Sequence, residues 1–301
     1  MPEIFDESRR IVGSLTNPED VDLVADRIVN GGVVVGVGNT GVYALAGDGG
    51  HPDFGDRLFT IKHRAPSRTM GMFLGAASFV EMVDFDRVEP HVRPLLENPE
   101  TLENTLGDLA FVRVPLLRSV QLDLPAQMQK YAVSKRRTDG EHVPFIQSYF
   151  AVADTLFAGL AQKMADRKVA FPAISSMNYS GEGEITERED ADEFCADQKI
   201  DVLHDVGHSP LAFGSCPIYE TAPTGLICVR TGNISRAVME RVLAPFGSFV
   251  GAQEPHVDTP PYRSLRLSDV PELINDNLYG SDARQAVVEQ RLIFEREGAT
   301  V

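Results

Sequence analysis

Cysteine is scarce in this chain: Cys195, Cys216 and Cys228 are the only three in 301 residues. They are too few and too irregularly spaced for a disulfide framework or a zinc site built from cysteine alone, and they fit a reducing compartment. Long apolar runs are missing as well. None approaches the roughly 20 residues that cross a bilayer, and the N-terminus, Met1-Pro2-Glu3-Ile4-Phe5-Asp6-Glu7, is acidic and lacks a signal-peptide profile. A cytoplasmic location is expected. Positive charge is in deficit, with 28 Lys and Arg against 44 Asp and Glu and a formal net charge of −16. Extensive direct nucleic-acid binding is therefore disfavoured, because phosphate binding depends on Lys and Arg displacing counterions; a local basic cleft remains compatible. Internal repeats and low-complexity segments are absent too.

What remains is an ordinary globular composition, 43% hydrophobic and 24% charged. The length suits one large or two small domains. Strands and helices alternate, which argues for one α/β domain. The expected division is a main domain over residues 1–250, with an inserted loop at about 116–147, and a polar extension over 251–301 carrying a terminal helix at 282–297.

The central stretch is Gly31 to Asp48. Val33 to Val37 reads as a short buried strand, Gly38-Asn39-Thr40-Gly41 as a turn, and Val42 to Ala46 as the opening of a helix. Before it, Asn17-Pro18-Glu19-Asp20 is a helix start: Asn17 caps, Pro18 suits the first helical position, and two acids favour the positive end of the dipole. Val21, Leu23, Val24, Ile28 and Val29 supply its apolar stripe, and Asn30-Gly31-Gly32 stops it.

Downstream, Asp56 to Arg64 is either a short helix or extended. Met70 to Val80 is expected to be a buried strand, alone or followed by a turn, and Val88 to Leu96 a helix. Leu109 to Pro115 is a second β-like run, and Ser148 to Lys163 reads as an amphipathic helix. Lys168 to Ser176 is a third strand, followed by an acidic stretch leading to a solvated helix. Ile200 to Leu203 and Leu226 to Val229 are later strands, and Ser235 to Leu243 a helix.

Several motifs could carry chemistry. Gly36-Val37-Gly38-Asn39-Thr40-Gly41 matches G-x-G-x-x-G. The acid that a dinucleotide site needs about twenty residues on is represented only by Asp53 and Asp56, in a Gly/Pro-rich loop, so an NAD-dependent oxidoreductase rests on the hexapeptide alone. His204 and His208 are four apart, a metal-binding spacing on a helix, but Gly207 and Pro210 argue for loop or structural histidines. Lys62, His63, Arg64 and Arg68 cluster in an acidic chain, where cations repel unless an anion lies between them. Arg offers a fork and Lys a compact charge; a solvated surface strip is the plainer alternative. Ser175-Ser176-Met177-Asn178 is either a cap and turn or a set of polar groups facing a nucleotide. Lys135-Arg136-Arg137 is the one dense basic cluster, a surface loop or a lid over a triphosphate.

In chain order, Val42-Tyr43-x-Leu45, Lys62-x-Arg64, Val112-Arg113-Val114-Pro115, Ser176-x-Asn178-x-Ser180-Gly181, Ser215 and Val229-Arg230-x-Gly232-x-Ile234 resemble the YrdC-like family of threonylcarbamoyl-AMP synthases. The resemblance covers roughly residues 17–243. Its specific part is the Lys-x-Arg and Ser-x-Asn pair in that order.

The resemblance implies an α/β fold, a twisted mixed sheet with helices packed on it and a deep concave cleft. It also implies a nucleotidyltransferase that converts ATP, bicarbonate and L-threonine to threonylcarbamoyl-adenylate and pyrophosphate, with magnesium on the triphosphate. That product feeds tRNA modification through partner proteins. Lys62 and Arg64 would be catalytic, holding the triphosphate and the bicarbonate-derived carboxylate. Arg113, Ser176, Asn178, Ser215 and Arg230 would bind the nucleotide, and Asn39, Thr40, Tyr43 and His63 the amine or amino acid.

This chain departs from the family where the first motif usually reads Pro-Thr-Asp/Glu-Thr-Val-Tyr-Gly-Leu: here it is Gly38-Asn39-Thr40-Gly41-Val42-Tyr43-Ala44-Leu45. The later Ser-Thr-Val/Ile signature is Ser215-Cys216-Pro217-Ile218. The nucleotide half is thus better preserved than the amino-acid half, which suggests a different amine. Alternative expectations are a non-catalytic nucleotide- or RNA-binding module and a carbamoyl-adenylate-using transferase of specialised metabolism.

Overall fold

Asn17 opens the first helix as its side chain predicts, accepting a hydrogen bond from the backbone N–H of Glu19, and Gly32 closes that helix in the left-handed region at φ 57°. A Cβ at Gly32 would also lie 2.3 Å from the His51 ring. Glycine is required there on both counts. A computed structural model describes residues 10–32, 35–37, 42–64, 69–107, 109–138, 141–150, 156–180, 185, 187–204, 216–223, 225–230, 236–246 and 249–250.

Within these residues the chain begins with β1 (Val12–Ser14), α1 (Pro18–Gly31), β2 (Val35–Val37), β3 (Ala44–Asp48), α2 (Phe54–Ile61), β4 (Gly71–Phe73), α3 (Ala76–Val80), α4 (Arg93–Leu96), α5 (Pro99–Leu106) and β5 (Phe111–Pro115). It continues through α6 (Arg118–Asp123), α7 (Ala126–Tyr131), β6 (Ser134–Thr138), β7 (Glu141–Tyr149), α8 (Leu156–Asp166), β8 (Pro172–Ser176), α9 (Arg188–Gln198) and β9 (Asp201–His204). The last elements are β10 (Ile218–Ala222), β11 (Gly225–Arg230), α10 (Arg236–Leu243) and β12 (Phe249–Val250). The strands form one mixed sheet in the order β1-β9-β2-β3-β8-β4-β7-β5-β10-β11-β12, with β6 paired to β7.

Apolar side chains cover the sheet in two layers. α1 and α8 contribute Val24, Ile28, Leu160 and Met164 to one, against Ile174, Phe73 and Tyr149. The other packs Leu58, Phe79, Leu95, Leu102, Met128 and Phe194 around Leu45, Met72, Val112 and Met177. Ion pairs staple α1 to α8: Asp22 lies 2.9 Å from both Lys163 and Arg167, and Asp26 2.5 Å from Arg167. The hydrogen bond from Lys163, then that from Arg167, holds the Asp22 carboxyl below its ordinary range. At the sheet margin, buried Asp201 accepts the Ile11 N–H at 2.6 Å and faces Arg27 at 3.4 Å, which fastens β1 to β9.

Several sequence expectations are corrected here. Val42 to Ala46 does not open a helix: β3 starts at Ala44 and returns antiparallel to β2, with Val37 opposite Ala44 and Val35 opposite Ala46. A strand followed by its antiparallel neighbour, rather than by a helix, lacks the helix N-terminus that a dinucleotide pyrophosphate needs. Residues 116–147 are not a loop but two short helices and a hairpin whose second strand, β7, is central to the sheet. Ser148 and Tyr149 belong to that strand rather than to a helix, and α8 (Leu156–Asp166) follows. Of the two readings of His204, loop or structural, the structure gives the second: it is the buried last residue of β9, with both ring nitrogens hydrogen-bonded. For Val42–Ala46 and for residues 116–149, long-range strand pairing overrode local periodicity. Between Val88 and Leu96, only Arg93–Leu96 is α-helical.

Candidate active site

Strand register brings one set of ends together. Val37 is opposite both Ala44 and Leu203, and Ala44 is opposite Ser176. The C-terminal ends of β2, β8 and β9 therefore share an edge with the N-terminal end of β3. In open α/β sheets such an edge is where ligands bind.

Helix α2 delivers Lys62 and Arg64 to this edge. The Lys62 N–H still bonds to Leu58, His63 takes the left-handed conformation at φ 48°, and the Arg64 N–H turns back to the Phe59 carbonyl at 2.9 Å. Lys62 is 3% exposed. Its ammonium donates to the Ser176 carbonyl, and at 2.9 Å to both the carbonyl and Oδ1 of Asn178. These three acceptors are neutral oxygens. Ser176 Oγ lies 2.8 Å from the same Asn178 Oδ1, and the Ser180 N–H closes the turn on the Lys62 carbonyl at 2.8 Å. Arg64 donates to Ser175 Oγ at 3.0 Å and to the Thr69 carbonyl at 2.7 Å, with its guanidinium 5.5 Å from the Phe59 ring centre. Exposed His63 stacks on Tyr179, ring centres 4.7 Å apart. Its burial rules out the solvated surface strip for Lys62, whereas His63 is exposed.

Tyr43 enters from the other side of β8. Its carbonyl accepts the Met177 N–H at 2.8 Å, and its hydroxyl lies 2.8 Å from His204 Nδ1. His204 Nε2 is 3.1 Å from Asp192 Oδ1 on α9.

Further along the sheet, Arg113 of β5 is opposite Gln147 of β7 and Glu220 of β10. Its guanidinium contacts Glu220 Oε2 at 2.8 Å and Gln147 Oε1 at 2.7 Å. On the same face, a Cβ at Gly71 would lie 2.8 Å from the Phe111 ring and 3.3 Å from Gln147 Nε2. The floor is thus tight around Gln147. Arg230 of β11 is opposite Ile218 and donates to the Cys216 carbonyl at 2.6 Å.

The structure therefore joins Lys62, Ser176 and Asn178 in one network, sets Arg64 and Tyr43 beside it, and gives Arg113 and Arg230 separate partners. Asn39, Thr40, Arg68, His208, Ser215 and the side chains of Arg136 and Arg137 lie outside the described residues. The backbone of Lys135-Arg136-Arg137 is strand β6, not a loop. Gln147, Asp192 and Glu220 had no role in the sequence-based site, and Ser175 and His204 entered it only through the polar tetrapeptide and the histidine pair. Glu220 and Gln147 become visible only once β10 and β7 flank β5. Among the described residues, no group of three or more His, Cys, Asp or Glu could hold a metal ion, and no helix is long and apolar enough to cross a membrane.

No family model and no curated protein matches the chain. Solved structures do match. P. abyssi Sua5 in complex with L-threonine is 14% identical with a TM-score of 0.57, over 80% of this chain and 62% of that one. E. coli YciO is 12% identical with a TM-score of 0.55, over 79% and 97%. A hypothetical protein from Streptococcus mutans is 12% identical with a TM-score of 0.59, over 82% and 99%. The chain spans less than two thirds of the Sua5 length. These likenesses establish the fold: the chain has the YrdC-like α/β fold that its motifs resemble.

Proposed function

We propose that this chain is an ATP-dependent synthase that joins an amine or amino acid to bicarbonate and transfers the resulting carbamate to the α-phosphorus of ATP, releasing pyrophosphate. The observation that carries this reading is the meeting of Lys62 with Ser176 and Asn178, 116 residues away from Asn178 in sequence, on a fold shared with a threonine-binding protein. The product is threonylcarbamoyl-adenylate or a relative of it. In the first case its consumer is a tRNA-modification partner.

A carbamate is a weak nucleophile, so holding it in line with the α-phosphorus and neutralising the charge that builds on the phosphoryl oxygens supply most of the rate. Lys62 and Arg64 serve the triphosphate and the carboxylate. An incoming phosphate oxygen replaces Asn178 Oδ1 as an acceptor of the Lys62 ammonium, which frees the amide to turn its N–H groups toward the nucleotide. Ser176, Ser215, Arg113 and Arg230 line the nucleotide, and Asn39, Thr40, Tyr43 and His63 receive the amine. Magnesium fits as an ion carried on the triphosphate oxygens, which is how it commonly binds when the protein offers few carboxylates; it would neutralise phosphate charge.

The test is ATP–pyrophosphate exchange over a panel of amino acids and amines with bicarbonate present. Exchange that needs both bicarbonate and one particular amine is expected, and no exchange across the panel would sink the synthase. A second reading, a nucleotide-binding module without turnover, is favoured by one observation: Arg113 is already paired with Glu220. It is distinguished by ATP binding without pyrophosphate release.

A further inference from the structure

His63 and Tyr179 form a ring stack beside the Lys62 network. His63 is exposed and Tyr179 half-buried; their ring centres are 4.7 Å apart and their planes inclined by 20°. Tyr179 leans in turn on Phe194 of α9, with ring centres 5.1 Å apart at 48°, and Phe194 belongs to the core. The Tyr179 hydroxyl accepts from Gln198 Nε2 at 3.1 Å. The three rings make a column that is anchored in the core and ends on a solvent-exposed imidazole.

The backbone explains why neighbouring side chains part here. His63 is left-handed at φ 48°, a region in which residues other than glycine are uncommon. Hydrogen bonds hold it from both sides: the His63 N–H donates to the Thr60 carbonyl at 3.1 Å, the Arg64 N–H to the Phe59 carbonyl and the Ser180 N–H to the Lys62 carbonyl. Lys62 is thereby directed to Asn178, and His63 to Tyr179. The two pairs are adjacent rungs between the same two segments of chain.

We propose that His63, backed by Tyr179, is a stacking platform for a planar ring carried by the amine substrate, which is therefore an amine with an aromatic side chain rather than a small aliphatic one. Tyr179 covers one face of the imidazole, and a ring arriving from solvent meets the opposite face. Stacked rings attract through their complementary charge distributions, and a platform whose own ring is already held loses little freedom on binding. Position along the sheet selects the amine over the base of ATP. Arg113 and Arg230 lie on β5 and β11, on the β4 side of β8. The column lies toward the other side, because Phe194 is on α9, which packs beside β9. In a carbamate held by Lys62 and Arg64, the amine's substituent is joined directly to the nitrogen, whereas a ribose separates the adenine from the α-phosphorus. The substituent is thus the group that meets the next rung. The role of the ring as part of a substrate rests on the synthase reading above; the platform itself does not.

The chain contains no tryptophan, so the fluorescence of L-tryptophan reports the ligand alone. With the full chain titrated into L-tryptophan in the presence of ATP and bicarbonate, a saturable change in its emission is expected. His63→Asn removes the imidazole while tolerating the left-handed backbone, and Tyr179→Leu keeps an apolar side chain against Phe194 while removing the supporting ring. Each is expected to weaken binding about threefold to tenfold, the size of one aromatic stack. L-phenylalanine and L-tyrosine should displace the probe, and L-threonine and L-alanine should need about tenfold more. In turnover, His63→Asn should raise KM for the aromatic amine by the same factor, with KM for ATP within about twofold. No saturable signal, unchanged affinity in both variants, displacement by L-threonine as readily as by L-phenylalanine, displacement by adenosine, or a rise in KM for ATP alone each overturns the inference. Should L-tryptophan bind in this way while no amine supports exchange, the platform stands and the synthase reading fails separately.

Discussion

Two groups of cations on this sheet meet different partners. At the β3–β8 edge, Lys62 and Arg64 donate to carbonyl, hydroxyl and amide oxygens. Four strands along, Arg113 donates to a carboxylate, Glu220, with both side chains only 12% and 11% exposed. Neutral acceptors orient a cation without cancelling its charge, whereas a carboxylate does both. In the second region the Glu220 carboxylate offsets guanidinium charge that a nucleotide would otherwise meet. Sequence motifs alone would rank Lys62, Arg64 and Arg113 as equals.

The largest expected effect breaks the first region. Lys62→Ala should lower ATP–pyrophosphate exchange by about 10²–10³-fold. Because it strands buried carbonyls, it should also lower stability by about 1–3 kcal/mol, read by urea titration. Arg64→Ala, at a half-buried side chain that donates to the Ser175 hydroxyl and the Thr69 carbonyl, should lose activity with a smaller stability cost; full activity in both variants would remove these residues from the site.

The second region is tested by its carboxylate. Arg113→Ala should destabilise by roughly 3 kcal/mol, since it leaves Glu220 buried without its cation. Glu220→Gln keeps an acceptor and removes the charge. It should tighten ATP binding by about threefold to tenfold if Arg113 faces the nucleotide, as measured by calorimetry. An unchanged Kd would make the Arg113–Glu220 pair purely architectural.

A milder contrast lies in two carboxylates away from the site. Burial pushes Asp201 above its ordinary 3.8, opposed in part by the Ile11 N–H and Arg27, while hydrogen bonds from Lys163 and Arg167 hold Asp22 below it. Across the window from 3.8 up to its raised folded value, Asp201 keeps a proton in the folded state that the unfolded chain releases, so its contribution to stability falls as pH rises. Asp22 acts in the opposite sense: its contribution is present above 3.8 and is lost as pH falls through its lowered folded value. Unfolding titrations of Asp201→Asn and Asp22→Asn against pH should remove slopes of opposite sign. The smallest effect concerns the thiols. Burial raises Cys195 to about 12, and Cys216 and Cys228 are also buried. A thiol reagent should label the folded chain slowly and all three cysteines in urea, because the thiolate is the reactive form; rapid labelling of Cys195 in the native state would contradict its burial.

What the chain could announce locally, it did. Asn17, Pro18 and Gly32 mark both ends of α1 through side-chain hydrogen bonding and a left-handed glycine. Val35 to Val37 is apolar enough to be a strand, Pro115 ends β5, and Lys62-x-Arg64 with Ser176-x-Asn178 is a pattern of functional groups that needs no coordinates to notice. The rest depended on pairing. Val42 to Ala46 looked like the start of a helix because it has no turn signal, yet from Ala44 onward its strand state is fixed by β2 on one side and β8 on the other. β7 contains Pro144, which cannot donate to a ladder, and polar Ser148, which is fully buried. Its centrality comes from β4, β5 and β6 closing around it. Residue type and spacing determined which groups were available for chemistry. Only the tertiary structure decided which of them meet and with what charge beside them, because hydrogen bonds between residues more than a hundred positions apart follow strand order, and strand order is a property of the whole sheet.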